Sequence, residues 1–229
     1  MRGCRCRERR RRRAPPCVGG DVLYSDIRAF NAGRDAWAGD GSRFTGNHVF
    51  GYSYGSTTTA YAGRDGRLAT HVSTVSLVGS PGAGPMRSAS EFGPGVDVYV
   101  AASSRDLITS LGGRTPGSFA RLLGPVGRFF GIGLGVDPAM DSFGAVRVTA
   151  EFPGAMNLPY TGGTHHAYFQ HTDSTSDPST RSESLANLGR ISAGQIERLE
   201  LEQHRTADGR RTIEPAAERA GPRRFWNPS

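Results

Sequence analysis

Gly51-Tyr52-Ser53-Tyr54-Gly55 fits G-x-S-x-G, the pattern in which a strand turns abruptly into a helix and holds a serine hydroxyl above the end of a sheet. Such a turn strains the backbone and needs small neighbours, which Gly51 and Gly55 supply. His48-Val49-Phe50 before it reads as a strand, and Ser56 to Gly63, rich in small residues, as the helix after it. An ordinary glycine turn with an incidental serine would contain the same five residues, so the rest of the chemistry must come from elsewhere in the chain. A serine at neutral pH is a poor nucleophile unless a histidine takes its proton and a carboxylate orients that histidine. In the chain order Ser, acid, His, the candidate acid is Asp106, which follows the strand-like VDVYVAA of residues 96–102. The candidate base is His165 in Thr164-His165-His166-Ala167-Tyr168, with His166 in reserve. The lesser alternative for Asp106 is a cap on a helix opening at Leu107. If Ser53 attacks an acyl carbon, the N–H of Tyr54 is the donor placed to hold the oxyanion.

Other groupings are weaker. His165, His166, His171 and Asp173 could hold a metal, but no partner motif elsewhere supports them, and no metal is expected. Cys4, Cys6 and Cys17 lack the paired spacing of a zinc module. Gly131-Ile132-Gly133-Leu134-Gly135 is not G-x-G-x-x-G and follows no clear strand, so no dinucleotide or other cofactor is expected.

The elements that must position these groups follow from periodicity. Val22, Leu23, Ile27, Phe30 and Trp37 predict an amphipathic helix over 21–37, ended by Gly39-Asp40-Gly41. Alternating, β-branched runs predict strands over 71–78, 96–102 and 143–152, with a short helix inside the Gly/Pro/Ser-rich link 82–95. Residues 112–142 read as a surface excursion or lid, where Phe129 and Phe130 could line an acyl pocket. Leu185, Leu188, Ile191, Ile196, Leu199 and Leu201 predict a final helix over 182–202. Strand and helix alternate, which predicts an α/β fold with a mostly parallel sheet and helices on both faces.

Charge is unevenly distributed. The chain of 229 residues has a formal charge of +7, all of it contributed by residues 1–13, where eight Arg face Glu8. The rest is neutral, so a nucleic-acid partner is expected only through that leader, by a contact that salt would weaken. The expected organisation is a disordered Arg-rich leader over 1–20, a domain over 21–204 and a polar flexible tail over 205–229. The most apolar stretch, 119–136, carries Arg121 and Arg128 and cannot span a membrane. No apolar stretch of signal-peptide length follows the arginines, so a cytoplasmic location is expected. Oligomeric state is not encoded legibly.

HVFGYSYGSTT, VSLVGSPGAGP, a strand ending in SSRD, GVDP followed by FGA, HHAY and SLANLGRI stand in this order between residues 21 and about 194. The ordered set resembles an actinobacterial α/β-hydrolase-like family of largely unassigned function. The resemblance implies Ser53 as nucleophile, Asp106 as acid and His165 as base, with Tyr52 standing where the family usually has His. It also implies that about four strands should precede the nucleophile strand, whereas only about 50 residues precede Ser53. The chain is therefore expected to be the C-terminal part of an α/β-hydrolase fold, lacking the usual first strands, with one sheet edge exposed. The second oxyanion donor would be lost with them, at a cost of about 10²–10³ in turnover. The resulting expectation is a serine hydrolase acting on a small-molecule ester or other acyl substrate, impaired by that loss. The alternative is a non-catalytic remnant or interaction module of the same fold.

Overall fold

The computed structural model describes residues 15–38, 47–103, 106, 108–109, 134–151, 165–169, 182–205 and 211–213. The Arg run, the segment with Phe129 and Phe130, and His171 with Asp173 lie outside the described residues. Helix α1 (Pro15–Ala38) precedes strand β1 (His48–Tyr52) and helix α2 (Tyr54–Gly63); strands β2 (Thr74–Val78), β3 (Asp97–Ala101) and β4 (Val146–Val148) follow. They form one parallel sheet in the order β1-β2-β3-β4. Helix α3 (Glu183–Ser192) comes next, then strands β5 (Glu202–Arg205) and β6 (Arg211–Ile213), paired antiparallel.

Strands β2 and β3 alternate between two cores. Val75, Leu77, Val98 and Val100 pack with Ala60 and Ala62 of α2, and Leu23, Tyr24 and Ile27 of α1 lean on the same cluster. Val78, Tyr99, Ala101 and Val148 face the other way, onto Leu188 and Ile191 of α3 and onto Tyr168. Parallel strands buried on both faces explain why β2 has no exposed position.

Helix α1 opens at Pro15, six residues before the predicted Asp21. Gly19 and Gly20, read as leader, are helical because α1 must lie close to α2. A Cβ on Gly20 would sit 2.5 Å from Tyr61 Cβ. Proline is tolerated in a first helical turn, where its missing N–H has no intrahelical partner. Cys17 is buried, and Asp21 receives the Arg64 and Arg67 guanidinium groups at 2.7 and 3.0 Å.

The predicted final helix also differs. It stops at Ser192, where the chain turns through Gly194 at φ +68°. The apolar spacing continues past it because Leu199 and Leu201 pack on the second core from a turn and a bridge to Val148. The strand expected over 143–152 is three residues long, and Phe143 reaches the first core from a 3₁₀ turn instead. That 3₁₀ turn begins at the end of the stretch expected to be a surface excursion, of which residues 134–142 are described. Strand β6 lies inside the segment expected to be a tail.

Candidate active site

The sheet brings the carboxyl ends of β1, β2 and β3 side by side, the edge of an open parallel sheet where ligands usually bind. Ser53 joins β1 to α2 with φ 52° and ψ −128°, a conformation costly for a residue bearing a Cβ. The surroundings force it. Ser53 N–H donates to the Val78 carbonyl at 2.8 Å, continuing the ladder, while the chain must already enter α2 at Tyr54. The Ser56 hydroxyl donates to the Ser53 carbonyl at 2.6 Å, and Thr57 Oγ1 donates to the Gly82 carbonyl at 2.7 Å. A Cβ on Gly51 would come within 2.7 Å of Ser56 Cα, so the turn can be this tight only with glycine there. Gly55 is different, because a Cβ on it would meet nothing within 4 Å.

His165 Nε2 lies 2.7 Å from Ser53 Oγ, and its Nδ1 lies 2.7 Å from Asp106 Oδ2. The Asp106 side chain is fully buried and that of His165 nearly so. Asp106 also accepts from the Ile108 N–H through Oδ1 at 2.9 Å, a local turn contact. The two carboxylate oxygens thus face different partners, Oδ2 the imidazole and Oδ1 the Ile108 N–H. His166 is exposed, with Nδ1 3.4 Å from the Tyr52 hydroxyl. Of the two histidines, His165 is therefore the one turned toward Ser53.

Three residues without an assigned role in the sequence shape the same place. The Tyr52 hydroxyl donates to the His165 carbonyl at 2.6 Å, and its ring stacks on the imidazole with centroids 5.1 Å apart. Burial, and secondly the Asp106 charge, raise the Tyr52 pKa above the ordinary phenol value, so it remains a donor at neutral pH. Tyr168 donates from its hydroxyl to Asp106 Oδ2 at 2.9 Å. Gly79, at φ +55°, passes so close that a Cβ would lie 2.8 Å from the Tyr168 ring, 3.2 Å from His165 and 3.3 Å from Asp106. HVFGYSYGSTT, VSLVGSPGAGP and HHAY contain these residues, but nothing in their type or spacing distinguishes them from packing residues.

Among the described residues no group of His, Cys, Asp and Glu could hold a metal ion, and no helix is long and apolar enough to cross a membrane.

Residues 25–115, which include Ser53 and Asp106, match a family described as alpha/beta hydrolase. Two uncharacterized proteins of Mycobacterium tuberculosis, from strains CDC 1551 and H37Rv, are each 34% identical over 190 residues. That match covers 80% of this chain and 26% of each relative, so the chain spans about a quarter of the length of the curated relatives it matches. No solved structure matches the chain. The fold is α/β, and the four-stranded parallel sheet, the turn at Ser53 and these matches together support an α/β-hydrolase-like family for this chain.

Proposed function

We propose that this chain is a serine hydrolase that cleaves a small-molecule ester or other acyl compound through an acyl-enzyme intermediate. The observation that carries this reading is the continuous hydrogen-bonded line from Ser53 Oγ through His165 to the buried Asp106 carboxylate. Ser53 Oγ attacks the acyl carbon while its proton passes to His165 Nε2, and the imidazolium is balanced by Asp106. The tetrahedral oxyanion takes a hydrogen bond from the Tyr54 N–H at the start of α2, where the helix field also favours negative charge. Collapse expels the alcohol, which receives the proton from Nε2. A water then repeats the sequence on the acyl-serine and releases the acid. No cofactor enters these steps.

The test is hydrolysis of short-chain p-nitrophenyl esters by the full chain and by Ser53→Ala. Turnover that falls to background in the variant, at unchanged thermal stability, is the expected result. Equal turnover in both would place any activity elsewhere.

A further inference from the structure

We infer that Tyr168 is a positioning residue of this site, its hydroxyl fixing the Asp106 carboxylate so that His165 presents Nε2 to Ser53; the inference rests on the hydrolase reading above. The Tyr168 oxygen lies between two partners. It accepts from the Ser103 N–H at 2.8 Å, which orients its own proton toward Asp106 Oδ2 at 2.9 Å. Oδ2 thus receives two donors, the phenol and His165 Nδ1, while Oδ1 receives the Ile108 N–H. A carboxylate held by three donors has one rotamer left to it. Shared hydrogen bonds in a buried, low-dielectric setting also polarise one another.

Tyr168 is itself anchored well beyond the site. Its side chain is buried at 1% exposure, and its carbonyl accepts from the Ser182 and Ser184 hydroxyls at 3.0 and 2.5 Å at the start of α3. The Ser103 hydroxyl donates to Glu151 Oε2 at 2.9 Å, and the Glu151 N–H donates to Glu183 Oε2 at 2.8 Å. The ends of β3, β4 and α3 are therefore tied by one network whose inner end is the oxygen bonded to His165. Tyr168 also lies three residues after His165, in the same helical turn, so one short segment delivers the base and the group that fixes its acid.

The test uses the full chain with Tyr168→Phe and, separately, a ring-fluorinated tyrosine incorporated at 168, which keeps the shape but donates more strongly. Two quantities are read: inactivation by a fluorophosphonate probe, separated into half-saturating concentration and maximal rate, and the nitrogen NMR shifts of the His165 ring. Losing a hydrogen bond to a charged group should slow the maximal rate about tenfold or more in Tyr168→Phe, with half-saturation unchanged. The ring shifts should move in both variants, and in opposite directions. Wild-type rate and unmoved shifts in both would overturn the inference. If wild type takes up no probe the hydrolase reading fails, and the ring shifts alone decide the positioning role. If Tyr168→Phe does not fold, the fluorinated chain decides it by the same criterion.

Discussion

Ser53 is held at positive φ between its ladder bond to Val78 and the start of α2, and Gly79 beside the site also has positive φ. A Cβ on Gly79 would press on the Tyr168 ring, His165 and Asp106 together, and any L residue at φ +55° is strained as well. Gly79→Ala should therefore destabilise the chain by about 1–3 kcal/mol in urea melts. Its rate of reaction with a fluorophosphonate should fall further than that of a control of equal instability far from the site. A loss no greater than the control's would mean that Gly79 serves packing alone. Ser53, Asp106 and His165, which the structure brings together, stood out in the sequence because a serine, a carboxylate and an imidazole show in residue type and chain order. Tyr52, Gly79 and Tyr168 were not. Tyr52 meets the His165 carbonyl across 113 positions of chain, and Tyr168 meets Asp106 across 62, contacts that leave no local periodicity or charge pattern.

At the scale of elements, burial between sheet and helix makes its own prediction at Tyr99 on β3. Its phenol is pushed up to about 12, first by burial and then by the Asp97 charge. An unfolded phenol titrates near 10, so between about pH 10 and 12 the native chain keeps a proton that the unfolded chain has lost. Tyr99 therefore contributes stability that is fully present below about pH 10 and is lost as pH rises through that window. Tyr99→Phe should flatten the fall in urea midpoint above about pH 10 relative to wild type; identical slopes would contradict the assignment. Strands β2 and β3 were legible because β-branched residues alternate between turn residues, and β1 because a short apolar run enters the glycine turn, whereas the limits of α1 and α3 were not. Glycine disfavours a helix interior in general, and Gly19-Gly20 therefore read as leader. Here the absence of a side chain at Gly20 lets α1 approach Tyr61 of α2. The stripe continuing from Ile191 to Leu199 and Leu201 imitates one long helix, although the chain reverses at Gly194.

Over the whole molecule, the sheet orders its strands so that Ser53, Gly79 and the loop leading to Asp106 leave adjacent carboxyl ends, with His165 brought over them from the second core. The alternation of strands and helices made the α/β class legible from the sequence. Among the described residues β1 stands at the edge of the sheet, with Phe50 39% exposed. The mycobacterial relatives are about four times as long as the matched part, so the activity of a full-length relative and that of this chain are separate questions. Hydrolysis by this chain requires Ser53, His165 and Asp106 to be assembled in it as they are here. Fluorophosphonate treatment of the folded protein, followed by intact mass and peptide mapping beside Ser53→Ala, tests that assembly most directly. A single adduct, on Ser53, and none in the variant is the expected result. Folded protein that takes up no adduct, or takes it up equally with Ala at 53, would contradict it and leave a non-catalytic module of the same fold.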